Sequence, residues 1–157
     1  MDKTTQIRYQ PVGLISEETL TNMWDLLIGK LKKSNWPVDN LHAPKMQAVL
    51  LDKDEFINVT NQVKSRKQTQ DFSEMEWGEK LSAEDNDGFI IRPNVNAKDN
   101  VWTIFLLHDE GHPLNILFHE IAHIVEWNLK MKPGSIANKL KKNGMKIGRL
   151  PKYGGGV

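Results

Sequence analysis

The stretch LNILFHEIAHIVEWNLK, residues 114–130, decides the fold of this chain. Its apolar residues fall on several sides of a helical turn rather than along one narrow stripe, a pattern typical of a helix buried in a core. Pro113 stands at the first helical position, where its missing N–H removes no hydrogen bond, and Pro133 with Gly134 follows the stretch. We therefore predict a buried helix that ends near Lys130.

Three polar residues interrupt this apolar run as the motif HExxH: His119, Glu120 and His123. On a helix the two histidines lie roughly 6 Å apart along the axis and about 40° apart around it, so both imidazoles project from one face. Glu120 flanks that face, where a general base can take a proton from zinc-bound water. We predict His119 and His123 as Zn²⁺ ligands and Glu120 as the catalytic base. The alternative is two surface histidines beside a salt-bridged glutamate.

A third zinc ligand is not evident, since no Asp, Glu, His or Cys follows Glu126 and the chain has no cysteine at all. Glu126 is disfavoured, because on an unbroken helix it lies roughly 10.5 Å along the axis from His119. Two other roles stay open for Glu126: orienting His123 through its second ring nitrogen, or pairing with Lys130. Side chains elsewhere in the chain, or in a partner, are the remaining candidates: His42, the acidic residues 74–87, His108, Asp109, Glu110, His112 and Tyr153.

Strand patterns precede the HExxH helix. Residues 88–93 and 101–108 are rich in strand formers and are separated by a turn sequence, so we predict an antiparallel hairpin. Residues 45–52, KMQAVLLD, are short and apolar enough for a buried strand. The prediction is an α+β fold with a small antiparallel sheet.

Three further helices are predicted. Ser16 is a candidate N-cap for an amphipathic helix that continues to about Lys33, with acids in its first turn and lysines in its last. Apolar spacing favours a short helix within residues 54–67, although this stretch is ambiguous. Residues 135–144 combine a capping serine with a closing glycine and predict a final short helix.

Size and composition indicate one domain. A chain of 157 residues with 39% apolar residues can bury one ordinary core. We assign residues 1–145 to this domain, with a mobile acidic loop near 65–87, and residues 146–157 to a flexible basic tail. No apolar run approaches the roughly 20 residues that span a bilayer, and no leader pattern is visible, so we expect a cytoplasmic protein.

The charge is unevenly distributed along the chain. From Lys130 onward there are eight of the 21 basic residues and no acidic residue, which leaves the preceding part net acidic. Such a basic end is typical of segments that meet nucleic acid or an acidic protein surface. The alternative is that it folds back onto the acidic body or is simply solvated.

The strand at 101–108, the turn and the helix carrying HEIAH resemble the zincins, the HExxH zinc metallopeptidases. The resemblance covers about a third of the chain and implies an antiparallel sheet beside the active-site helix, with an edge strand that pairs with extended substrate. The segment LNILFHEIAHIVE is most similar to small intracellular branches: SprT-like proteases, the ImmA/IrrE group and the metallopeptidase domains of antirestriction proteins. In SprT-like proteins a His-Gly pair after this helix supplies the third ligand, whereas here Pro133 precedes Gly134.

The resemblance implies a zinc-dependent peptidase that acts on a protein or peptide substrate. A second hypothesis is a catalytically weak zincin-fold binding protein, of phage or plasmid type, that uses the basic tail to bind a host protein or nucleic acid. A third is a peptidase that the basic tail anchors on DNA. No residue pattern indicates a cleavage preference.

Overall fold

Four strands and three long helices form the fold of the residues that the computed structural model describes, namely 7–66, 88–91, 101–108, 113–132 and 134–139. Residues 137–139 begin a further helical turn. In chain order the elements are β1 (Gly13–Leu14), α1 (Glu17–Lys33), β2 (Met46–Leu51), α2 (Lys53–Arg66), β3 (Gly88–Ile91), β4 (Trp102–Leu107) and α3 (Pro113–Asn128).

The four strands form one mixed sheet in the order β1-β2-β4-β3. β1 pairs with β2, and β3 with β4, in antiparallel fashion, whereas β2 and β4 are parallel. The prediction of an antiparallel sheet is therefore wrong for its central pair. The connection from β2 to β4 contains α2, and a crossover of this kind is what allows two strands to run in the same direction.

The predicted hairpin between β3 and β4 is confirmed. Gly88 lies opposite Leu106 and Ile90 opposite Ile104, so these four residues point to the same face of the sheet. All four residues of β3 are buried. The predicted turn at 94–100 lies outside the described residues.

Helices cover both faces of the sheet, so two cores share it. α1 and α3 pack on one face, against side chains such as Ala48, Ile104 and Leu106, and α2 packs on the other, against Val49 and Phe105. Because side chains alternate along a strand, neighbouring residues of β2 and β4 feed opposite cores. The fold is thus α+β, with the HExxH helix in the larger core.

The predicted N-terminal helix is confirmed. The Ser16 hydroxyl accepts a hydrogen bond from the Thr19 amide at 3.1 Å, as an N-cap does. The helix ends where Asn35 takes a left-handed conformation with φ 65°. One face of α1 packs into the larger core. That face consists of Leu20, Trp24, Leu27, Ile28 and Leu31.

The ambiguous stretch before the acidic loop is helical. α2 runs to Arg66, so the first two residues of the predicted loop at 65–87 belong to a helix. Three stretches lie outside the described residues: the rest of that loop, the tail at 146–157 and residues 140–144 of the predicted helix at 135–144. Within the described part of the chain, no helix combines the length and apolar character needed to cross a bilayer.

Gly88 brings β3 close to α3. A Cβ at this position would lie 2.7 Å from Ile116 Cγ2 and 3.1 Å from the Phe105 carbonyl oxygen. We expect Gly88→Ala to lower the free energy of unfolding by about 1–3 kcal/mol, because the helix or the strand must move. Gly29→Ala is the matched control. Its Cβ would meet nothing within 4 Å, and a helix-interior alanine should raise stability by about 0.5–1 kcal/mol. Denaturant unfolding of both proteins gives the comparison, and equal effects would contradict it.

Candidate metal centre

The site is built on α3, whose apolar sequence places it in the larger core between α1 and the sheet. The helix is buried almost continuously from Leu117 to Glu126. Its polar residues are therefore held inside the protein, where an ionisable group needs a partner. Glu120 is 4% exposed and His123 is 5% exposed, while His119 is partly exposed. The alternative of two surface histidines beside a salt-bridged glutamate does not fit His123, which is buried.

The structure brings the three predicted site residues together. His119, Glu120 and His123 each offer a ligand atom, and these atoms all lie within 4.8 Å of one another. The two imidazole centroids are 5.0 Å apart with ring planes at 88°. No other group of three His, Cys, Asp or Glu within metal-binding distance occurs among the residues described. This part of α3 can therefore hold a metal ion.

The tautomer of His119 follows from its hydrogen-bond partner. Its Nδ1 lies 3.0 Å from the carbonyl oxygen of Ala137, in the segment that follows α3. A carbonyl oxygen only accepts hydrogen bonds, so Nδ1 must carry a proton, and in the neutral imidazole Nε2 then keeps its lone pair. Residue type could not have predicted the role of Ala137, because every residue supplies a backbone carbonyl.

His123 is oriented in the same way by Glu126. Its Nδ1 lies 2.7 Å from Glu126 Oε1, and both side chains are buried. An ionised carboxylate only accepts, so here too Nδ1 donates, and in the neutral imidazole Nε2 then keeps its lone pair. This is the orienting role predicted for Glu126. Pairing with Lys130, the other role left open, does not fit, since Lys130 is exposed and Glu126 is fully buried.

The Glu126 carboxylate also anchors the chain beyond α3. Oε1 accepts from the Gly134 amide at 2.8 Å, and Oε2 accepts from the amides of Ile136 at 2.6 Å and Ala137 at 2.7 Å. Burial alone raises the pKa of Glu126. The hydrogen bond from His123, the electrostatic attraction of Glu126 to that ring and the hydrogen bonds from the Ala137 and Gly134 amides outweigh burial and leave the pKa of Glu126 below its usual value. The carboxylate is thus ionised at neutral pH.

A reversal of the chain after α3 makes these contacts available. The Met131 amide donates to the Glu126 carbonyl at 2.9 Å, and Lys130 adopts φ 57°, which ends the helix in a left-handed turn. Gly134 then adopts φ 95°, a conformation that residues with a Cβ rarely take. The segment 134–137 consequently contacts α3 at Glu126 and at His119.

The third-ligand candidates divide into two groups. Glu126 is not a ligand, because both of its oxygens already accept hydrogen bonds from the protein. His42 and His108 are exposed and do not belong to the metal-binding group. Other candidates lie outside the described residues: residues 74–87, Asp109, Glu110, His112 and Tyr153.

Comparison with known proteins adds no family assignment. No protein-family model, no curated protein and no solved structure matches the chain. The functional proposal therefore rests on the geometry of α3 and of the segment packed against it.

Proposed function

We propose that this protein is a zinc-dependent metallopeptidase, with His119 and His123 as metal ligands and Glu120 as the general base. One observation carries the proposal: each histidine has its Nδ1 engaged by an acceptor of the protein, Ala137 O in one case and Glu126 in the other. Metal-binding histidines in proteins commonly have such an outer partner, which fixes the tautomer and leaves Nε2 for the ion. Two imidazoles on one helix face, each with its Nδ1 hydrogen-bonded to the protein, suit a zinc site.

The three side chains of the triad divide into metal ligands and a base according to their chemistry. Zinc, when bound, supplies Lewis-acid chemistry that polarises a carbonyl group and acidifies water. The two histidines are the metal ligands, so Glu120 is the group of the triad that remains for proton transfer. Its carboxylate takes a proton from the attacking water and delivers it to the departing amine. Its burial keeps bulk water away from this carboxylate.

Zinc binding tests the metal site directly. We expect the purified protein to bind about one zinc ion per chain, and His119→Ala or His123→Ala to lose at least about tenfold in affinity, since each removes one ligand. Elemental analysis and competition with a chromophoric chelator measure both quantities. His42→Ala and His108→Ala are matched controls, because both histidines are exposed and lie outside the triad, and they should bind zinc as the wild type does.

Peptidase activity is a separate expectation. Chelation should abolish cleavage of an unfolded protein substrate, and added zinc should restore it. A protein that binds zinc at the triad but shows no zinc-dependent cleavage would leave the metal site standing and refute the peptidase. That result would favour the second hypothesis, a binding protein on the same fold, and it could be checked by asking whether His119→Ala retains the biological effect.

A further inference from the structure

We propose that Glu126 is the positioning residue for both histidines, His119 as well as His123, although it contacts only the second. The inference rests on the proposed metal site and adds the residue that organises it. A single buried carboxylate, fully shielded from solvent, bonds to His123 and to three backbone amides of the segment 134–137. That same segment supplies the acceptor for His119.

The route from Glu126 to His119 is short. Oε2 of Glu126 accepts from the Ala137 amide at 2.7 Å, and the carbonyl of the same residue lies 3.0 Å from His119 Nδ1. The amide and the carbonyl of Ala137 lie in successive peptide planes, and its helical backbone angles set the orientation of one plane relative to the other. Holding the amide therefore restricts where the carbonyl can lie. Glu126 therefore controls one imidazole by direct contact and the other through one residue of backbone.

Each of the two carboxylate oxygens of Glu126 accepts from two donors, which makes this side chain difficult to replace. Oε1 serves His123 and Gly134, and Oε2 serves Ile136 and Ala137, so all four partners donate. A glutamine has one oxygen and one NH₂ group. If the NH₂ group takes the Oε1 position it faces the Gly134 amide, and it can donate to His123 only if that ring switches to the Nε2–H form. If it takes the Oε2 position it faces the amides of Ile136 and Ala137, which cannot accept. No orientation of glutamine can satisfy the set, although its size and shape are those of glutamate.

The imidazole tautomers report this control without requiring a metal. In the zinc-free wild type we expect both His119 and His123 to be Nδ1–H, since each donates to an acceptor that cannot donate. In Glu126→Gln we expect His123 to populate the Nε2–H form, since the NH₂ group leaves fewer amides unsatisfied at the Oε1 position than at the Oε2 position. In Glu126→Ala, which removes the acceptor of the Ala137 amide, we expect His119 also to populate the Nε2–H form. Long-range ¹H–¹⁵N spectra of the imidazole rings distinguish the two forms for each histidine. A His119 that stays Nδ1–H in Glu126→Ala, with Ala137 still its acceptor, would overturn the inference, and so would a Glu126→Gln protein in which both rings stay Nδ1–H.

Zinc affinity provides the second readout. We expect Glu126→Gln to weaken zinc binding by about 10–100-fold, as is usual when an outer partner of a metal ligand is removed. Unchanged affinity would likewise overturn the inference. If the wild type binds no zinc, the proposed function fails, and the ring spectra of the zinc-free protein still decide whether Glu126 positions both histidines.

Two controls separate positioning from loss of stability. Val63→Ala removes volume from the smaller core on the opposite face of the sheet and should lower stability without changing either tautomer or zinc affinity. Ser135→Ala removes a hydrogen bond to the Lys132 carbonyl in the same turn as the Glu126 contacts, but it touches neither Glu126 nor a histidine. A tautomer change in either control equal to that in Glu126→Gln would assign the effect to general loosening and contradict the inference.

Discussion

A Glu120→Gln protein is expected to cleave peptide at least about a hundredfold more slowly than the wild type and to keep its zinc. Glutamine matches glutamate in size, so the buried position can accept it, yet an amide cannot take a proton from water at neutral pH. Glu120 is only 4% exposed, and bulk solvent is therefore poorly placed to substitute for it as a base. Initial rates on an unfolded protein substrate, with zinc content measured on the same samples, give the result.

The zinc measurement discriminates between two roles of Glu120. A carboxylate oxygen of Glu120 lies within 4.8 Å of a ring nitrogen of each histidine, so Glu120 could instead be a metal ligand. If Glu120 is a ligand, Glu120→Gln should lower both zinc affinity and activity. If Glu120 is the base, the variant should lose activity and bind zinc nearly as tightly as the wild type. Asp25→Gln, on the exposed side of α1, controls for removal of a negative charge and should change neither quantity. Undiminished activity in Glu120→Gln would rule out the general-base assignment.

The features that the sequence predicted best are those determined by local periodicity. The apolar run of α3 identified a buried helix, and helical spacing alone placed His119 and His123 on one face, where the structure has them. The N-cap at Ser16 was equally local, because a serine hydroxyl and an amide three residues later need no tertiary contact.

Features determined by non-local contacts were missed. The parallel pairing of β2 with β4 depends on where the chain goes after α2, and the two-residue strand β1 is too short for a periodic pattern. The role of Ala137 was invisible for a different reason, since it acts through backbone atoms that every residue has. The Pro133 and Gly134 pair was the available signal: it marked a change of direction after α3, but not which residues the returning chain would meet.

Glu126 shows how the geometry of a helix and the tertiary fold together decide a role. Helix geometry argued only that Glu126 lies too far along the axis from His119 to share an ion with it. The structure explains what the carboxylate does instead: the returning segment surrounds it with amide donors, and those hydrogen bonds occupy both of its oxygens. A residue that extends the motif to HExxHxxE is thus part of the support for the site rather than a ligand.

Replacing Glu126 with alanine is expected to cost about 3–5 kcal/mol of unfolding free energy, the range for breaking a buried ionic pair by removing one partner. The change leaves four donors without an acceptor: the amides of Gly134, Ile136 and Ala137 and the ring N–H of His123. Each buried, unsatisfied group costs about 1–3 kcal/mol, and the sum is smaller than four such terms because the segment can partly move into water. Since domains are typically stable by about 5–15 kcal/mol, this single change removes a large share of the total.

Denaturant unfolding in the presence of a chelator measures this loss, since zinc bound to the wild type would add its own stabilisation and confuse the comparison. Asp25→Ala serves as the control acid, exposed on α1, and should change stability by no more than about 0.5 kcal/mol. If Glu126→Ala does not fold, Glu126→Gln gives the answer, since one oxygen remains to accept from some of the donors and the loss should be intermediate. A loss below about 1 kcal/mol in Glu126→Ala would mean that the carboxylate does not hold the segment 134–137 against α3, because one unsatisfied buried amide alone accounts for that much.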